Sequence, residues 1–170
     1  MSKNRDQRRK EQIAVKTKNE SFRFQVRWNR NKRAPEIADD DAVANAEINA
    51  ICEKDLSDGM LALADILDGV RNELGYEHEA NRCTLNGSAV AYILGITSVK
   101  PADAQSGISP LADAGKINVP LQVDVYYDNE CRNKVVDWVK ERYKDMTARL
   151  GQPALKLRNI VVVFKRVVKS

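Results

Sequence analysis

Two places in the chain have the residue types and spacing for phosphate and metal chemistry. The first is Gly87-Ser88, a small-residue turn ahead of the apolar run Ala89 to Leu94. A turn of this kind at a helix start leaves backbone N–H groups free to face a phosphate, and Arg82 stands nearby as a fixed cation for an anion site. The same doublet also suits an ordinary helix start, because serine is a favoured N-cap. The second place is Asp124, set in the alternating stretch PLQVDVYYD, Pro120 to Asp128. Nucleotidyl transfer needs such a pairing: a turn that holds the triphosphate, and strand carboxylates two residues apart that share one face and one Mg²⁺. Asp124 has Gln122 and Tyr126 at those positions. It can therefore be the remnant of a metal site or a structural carboxylate paired with an arginine.

The elements that must position these residues follow from periodicity. SFRFQVRW, Ser21 to Trp28, places Phe22, Phe24, Val26 and Trp28 in strict alternation, which predicts a half-buried strand with Arg23, Gln25 and Arg27 on its outer face. Asp39 to Asp41 precede AVANAEINAICEKD, the charge pattern of a helix N-terminus. A second helix is predicted over Ser57 to Leu74, ended by Gly75, with Met60, Leu61, Leu63, Leu67 and Val70 facing the core. A short helix over Gly87–Leu94 leads into a turn-rich connector from Lys100 to Asn118. The 120–128 strand follows, and then an amphipathic helix carrying Val135, Val136, Trp138, Val139, Tyr143 and Met146 until Gly151 and Pro153 stop it. LKLRNIVVVFKRVVKS, Leu155 to Ser170, reads as a final strand.

Charge is unevenly spread along the 170 residues, whose net charge is +4. Met1 to Arg33 holds twelve Lys/Arg against three acids, a local balance of +9, and Ala154 to Ser170 holds five bases and no acid. The body between them is left at −10. Basic ends on an acidic body point to a polyanion partner. Residues 1–20 are charged and nearly devoid of large apolar groups and read as a basic, disordered tail ahead of a single domain over 21–170. Cys52, Cys83 and Cys131 are too scattered for a disulfide framework or a zinc cluster, and His78 is the only histidine. No apolar run is long enough to span a bilayer and no signal pattern opens the chain, so a cytoplasmic protein without a membrane partner is expected.

NRCTLNGSAVAYILGITSVKPAD, Asn81 to Asp103, resembles the palm of the C-family bacterial replicative DNA polymerases, the alpha subunit of DNA polymerase III, whose motif is close to G-R-G-S-x-x-G-S-L-V-A-Y-x-L-G-I-T-x-x-x-P. VPLQVDVYYDNECRNKVVDWVKERY is similar to that family's M-P-D-I-D-I-D-F segment and the helix after it, and the resemblance runs from about Met60 to Tyr143. It implies an α+β fold, a polymerase-beta-like, palm-type sheet flanked by helices. It also implies that Arg82, Thr84, Gly87 and Ser88 hold a nucleotide's phosphates and that Asp124 is the remaining catalytic and Mg²⁺-binding aspartate. The departures are specific. The first Gly-Ser pair has become Cys83-Thr84, and the family's three strand aspartates fall on Gln122, Asp124 and Tyr126.

One carboxylate holds Mg²⁺ weakly, because that ion favours several hard oxygens in an octahedral shell. The leading expectation is therefore a DNA polymerase III alpha palm-like module, catalytically impaired, that works in DNA replication or another DNA transaction by binding nucleic acid, with DNA favoured over RNA. Arg8, Arg9, Lys10, Arg23, Arg27, Lys165 and Arg166 are the candidate phosphate contacts. The alternatives are a reduced Mg²⁺-dependent nucleotidyltransferase built on Asp124, and a non-catalytic assembly protein with basic ends and replication or assembly partners.

Overall fold

A computed structural model describes residues 4–167. It begins with one long helix, α1 (Arg5–Arg33). Asn4 caps it by accepting from Gln7 N while the Gln7 side chain accepts from Asn4 N, a reciprocal capping box. No glycine or proline interrupts the sequence before Pro35. The strand predicted over Ser21 to Trp28 is thus corrected to helix, and residues 5–20, expected as a tail, form that helix's first half. The alternation misleads because a spacing of four satisfies both periods. Phe22 and Val26 lie on the helix face that meets the core, at 0% and 3% exposure, while Phe24 and Trp28 lie on the opposite face at 61% and 60%. Lys3 and Lys169, counted above among the terminal bases, fall outside the described residues.

α2 (Ala42–Glu53) starts at Asp41, whose side chain accepts from Ala44 N. α3 (Ser57–Gly69) continues through a π turn, Val70–Leu74, to Gly75 at φ 74, as the sequence indicates. Ser88 caps the short helix α4 (Ala89–Ile93). Two 3₁₀ turns then carry the chain to β1 (Leu121–Tyr127). α5 (Asn129–Arg142) stops well short of Gly151. The residues beyond it, predicted as helix, instead form β2 (Met146–Arg149), which turns through Leu150 (φ 51) and Gly151 (φ 79) into β3 (Gln152–Leu157). Two positive φ angles in a two-residue loop make the tight turn that suits a twisted hairpin. A second turn leads to β4 (Ile160–Arg166), so the predicted C-terminal strand is two strands.

The sheet order is β1-β4-β3-β2, with β1 parallel to β4 and the other pairs antiparallel. The fold is α+β, as expected. Alternation divides the sheet cleanly. Val123, Val125 and Tyr127 of β1, Leu155 of β3, and Ile160, Val162 and Phe164 of β4 enter the main core with α3 and α5. α3 lies so close to the β3–β4 turn that a Cβ on Gly59 would stand 2.8 Å from both Leu157 O and Ile160 Cδ1. The other face holds a small separate patch of Ala154, Val161 and Val163, bordered by polar side chains.

Candidate functional site

Those polar side chains form the candidate site. Along β1, Gln122, Asp124 and Tyr126 project from the face opposite the core, and the parallel register sets Lys165 of β4 beside Tyr126. Lys165 Nζ reaches Asp124 Oδ2 at 2.8 Å and lies 5.7 Å from the centre of the Tyr126 ring. Its hydrogen bond to Asp124 is the main cause that raises the lysine pKa, so the ammonium stays charged. Gln122 Nε2 donates to Asp124 Oδ1 at 2.9 Å, and Gln122 Oε1 accepts from Arg149 Nε at 2.8 Å. Arg149 comes from the far edge strand, so its side chain crosses over β3 and β4. Both oxygens of the aspartate are therefore engaged by donors from the protein itself.

The free edge of β1 is closed by residues 79–84. Glu79 N donates to Tyr126 O, Thr84 N donates to Asp124 O, and Asp124 N donates to Thr84 Oγ1 at 2.9 Å. Thr84 thereby serves as a one-residue edge partner for the strand. This clamp puts the Arg82 guanidinium 6.0 Å from the Tyr126 ring centre. Thr84 and Lys165 thus meet Asp124, at its backbone and its carboxylate respectively, while Arg82 and Lys165 both stand against the Tyr126 ring. Arg166, next along β4, donates to Asn133.

Ser88 is not part of this cluster. It is fully buried, its Oγ accepts from Ala91 N at 3.0 Å, and its hydroxyl donates to Glu47 Oε1. The Glu47 carboxylate also accepts from Ala89 N at 2.9 Å and Val90 N at 3.1 Å. The helix mouth in which the sequence places a phosphate is filled by a carboxylate of α2. Gly87 sits beside it with φ 98, and a Cβ there would meet Ile108 O at 2.7 Å, so the turn needs glycine for close approach of the connector. Burial raises the Glu47 pKa above its ordinary value, and hydrogen bonds from Ser88, Ala89, Val90 and Ser109 oppose that rise. Nothing in the sequence marks Glu47, which reads as one acid on an amphipathic helix.

The N-terminal cations lie elsewhere. α1 packs on α3 and α4, and α3 separates it from the sheet. Arg8, Arg9, Lys10, Arg23 and Arg27 are therefore not gathered with Lys165 and Arg166. Arg23 donates to Asn49 at 2.9 Å.

The donor set around Asp124 does not fit Mg²⁺. It offers one carboxylate, already held by an ammonium, and an amide whose N–H rather than oxygen points at it. Among the described residues no group of three or more His, Cys, Asp or Glu could hold a metal ion.

The fold is a mixed α+β module with a carboxylate and a lysine ammonium paired on a strand face. Residues 14–154 match the model of the bacterial DNA polymerase III alpha NTPase domain, and the chain belongs to that family. No curated protein matches it. None of the described helices is long and apolar enough to cross a membrane.

Proposed function

We propose that this chain is a DNA polymerase III alpha-type module, palm-like in its sheet, that acts in DNA replication or another DNA transaction by binding nucleic acid rather than by transferring nucleotides. The single observation that carries this reading is the Lys165–Asp124 pair at 2.8 Å. Positive charge on a strand aspartate is what a catalytic metal would supply, and here the protein supplies it with a fixed ammonium. That cation has no open coordination position for a substrate oxygen, so the stabilisation that metal catalysis draws on is missing. Arg82 and Lys165 then remain as phosphate contacts on the face of Asp124, which sets the lysine's position, while Arg166 stands on the opposite face beside Asn133 of α5.

The family and the bond between Thr84 and the Asp124 backbone favour a second reading, a reduced nucleotidyltransferase using Asp124. One experiment separates the two. DNA binding by fluorescence anisotropy should weaken by orders of magnitude between about 50 and 200 mM salt. Asp124→Asn should leave it within about threefold while Lys165→Ala weakens it, since one phosphate contact carries a share of the salt slope near one. Label transfer from a nucleotide with Mg²⁺ or Mn²⁺ that disappears in Asp124→Asn would establish the enzyme instead. No binding at low salt would remove the nucleic-acid reading.

A further inference from the structure

The first half of α1 is solvated on every side: residues 5–17 are all exposed. An isolated helix of that length is marginal in water, so this arm is built to lie against something. Helical geometry, about 100° per residue, sorts its outer surface. Phe24 and Trp28 sit one turn apart, opposite the buried Phe22 and Val26; Arg9, Lys10, Ile13 and Arg27 fall within about 60° of Phe24 around the axis, as do the acids Asp6 and Glu20. Residues 4–33 carry eleven Lys/Arg against three acids. Arg9, Lys10 and Arg27 have no ion-pair partner among the described residues. The surface is therefore a pair of exposed rings on a helix in which bases strongly outnumber acids, with Arg9, Lys10 and Arg27 beside the rings.

We infer that this face of α1 is a binding surface for single-stranded nucleic acid, with Phe24 and Trp28 stacking on bases and Arg9, Lys10 and Arg27 contacting the phosphates. Aromatic rings beside a line of cations are the combination that holds unpaired strands, because every base has a π-face and a duplex hides it. The charge complementarity is with a polyanion. A membrane surface fits poorly, since an interfacial helix needs a continuous apolar face. Here Thr17, Glu20 and Ser21 interrupt the stripe between Ile13 and Phe24. The same gap breaks the i, i+3, i+4, i+7 anchors that a helix uses in a protein groove.

The inference rests on the nucleic-acid reading above and names both the strand state and the surface, so the test must tell the two apart. The full chain is titrated into a labelled oligothymidylate and into a duplex of the same length, with anisotropy as the readout. Phe24→Ala and Trp28→Ala should each weaken single-strand binding about fivefold or more without changing the salt slope, and Trp28→Phe should restore most of the loss. Replacing Arg9, Lys10 and Arg27 with alanine should lower the single-strand salt slope by about two. Both rings are exposed, so these variants should keep the fold, which circular dichroism checks. Quenching of tryptophan fluorescence by the oligonucleotide should persist in Trp138→Phe and vanish in Trp28→Phe. Single-strand binding untouched by the Phe24/Trp28 double variant would overturn the inference and leave the sheet-side site standing. So would binding to anionic vesicles in place of the oligonucleotide, or self-association that the double variant abolishes. Failure of the wild-type chain to bind either nucleic acid at low salt would overturn both.

Discussion

Glu47→Ala should be among the most damaging single substitutions in this protein. The carboxylate is fully buried and accepts from Ser88 Oγ, Ala89 N and Val90 N. Truncation leaves the two backbone N–H groups without an acceptor at the start of α4, each costing about 1–3 kcal/mol when buried. The lost volume adds to this, while removal of a desolvated charge offsets part of it. The net expectation is a loss of about 3–5 kcal/mol, a large fraction of a stability of about 5–15 kcal/mol. With a urea m-value of about 2 kcal/mol/M, the unfolding midpoint should fall by roughly 1.5–2.5 M. Glu47→Gln keeps one acceptor oxygen and should lose less, about 1–2 kcal/mol at low pH. The pH dependence supplies an independent check. A carboxyl whose folded pKa is raised contributes fully below its unfolded value, and that contribution is lost as pH rises through the folded value. The wild-type advantage over Glu47→Gln should therefore shrink as pH climbs out of the ordinary glutamate range. An alanine variant within about 1 kcal/mol of wild type, or a glutamine difference flat with pH, would refute the filled helix mouth.

Two further outcomes follow from the packing. Gly59→Ala should destabilise the fold by about 1–3 kcal/mol in thermal or urea unfolding, because its Cβ would press on the Leu157 carbonyl, and backbone cannot rotate aside. His78, buried with Nε2 donating to Ile96 O at 2.7 Å, has its pKa lowered mainly by burial. The unfolded chain then takes up the proton first on acidification. Stability should fall as pH drops below the ordinary histidine range, and His78→Gln should flatten that slope in pH-dependent unfolding.

Much of this molecule could be read from local spacing. Asp41 before α2, Gly75 after α3, Ser88 at the start of α4 and the alternation of β1 are each fixed by residues within a few positions of one another. Short-range signals of this kind survive in sequence because capping and periodicity act over one or two turns. The family, too, was legible in Asn81 to Asp103. Where local signals conflict, the sequence misleads. Phe22 to Trp28 alternate as a strand would, and only docking of Phe22 and Val26 into the core selects the helix and leaves Phe24 and Trp28 outside. In the same way, the residues after Arg142 continue a helical pattern until pairing with β3 offers their backbone a better set of partners.

The chemistry of the site was decided by tertiary structure alone. Which group fills the helix mouth depends on Glu47, 41 residues before Ser88. What neutralises Asp124 depends on Lys165, 41 residues after it and delivered by the parallel register of β1 and β4. The sequence determined that a carboxylate, a capped helix and an excess of terminal cations exist. Only the folded chain determined which of them meet, because such contacts depend on strand register and helix docking, and neither leaves a mark within a window of neighbouring residues.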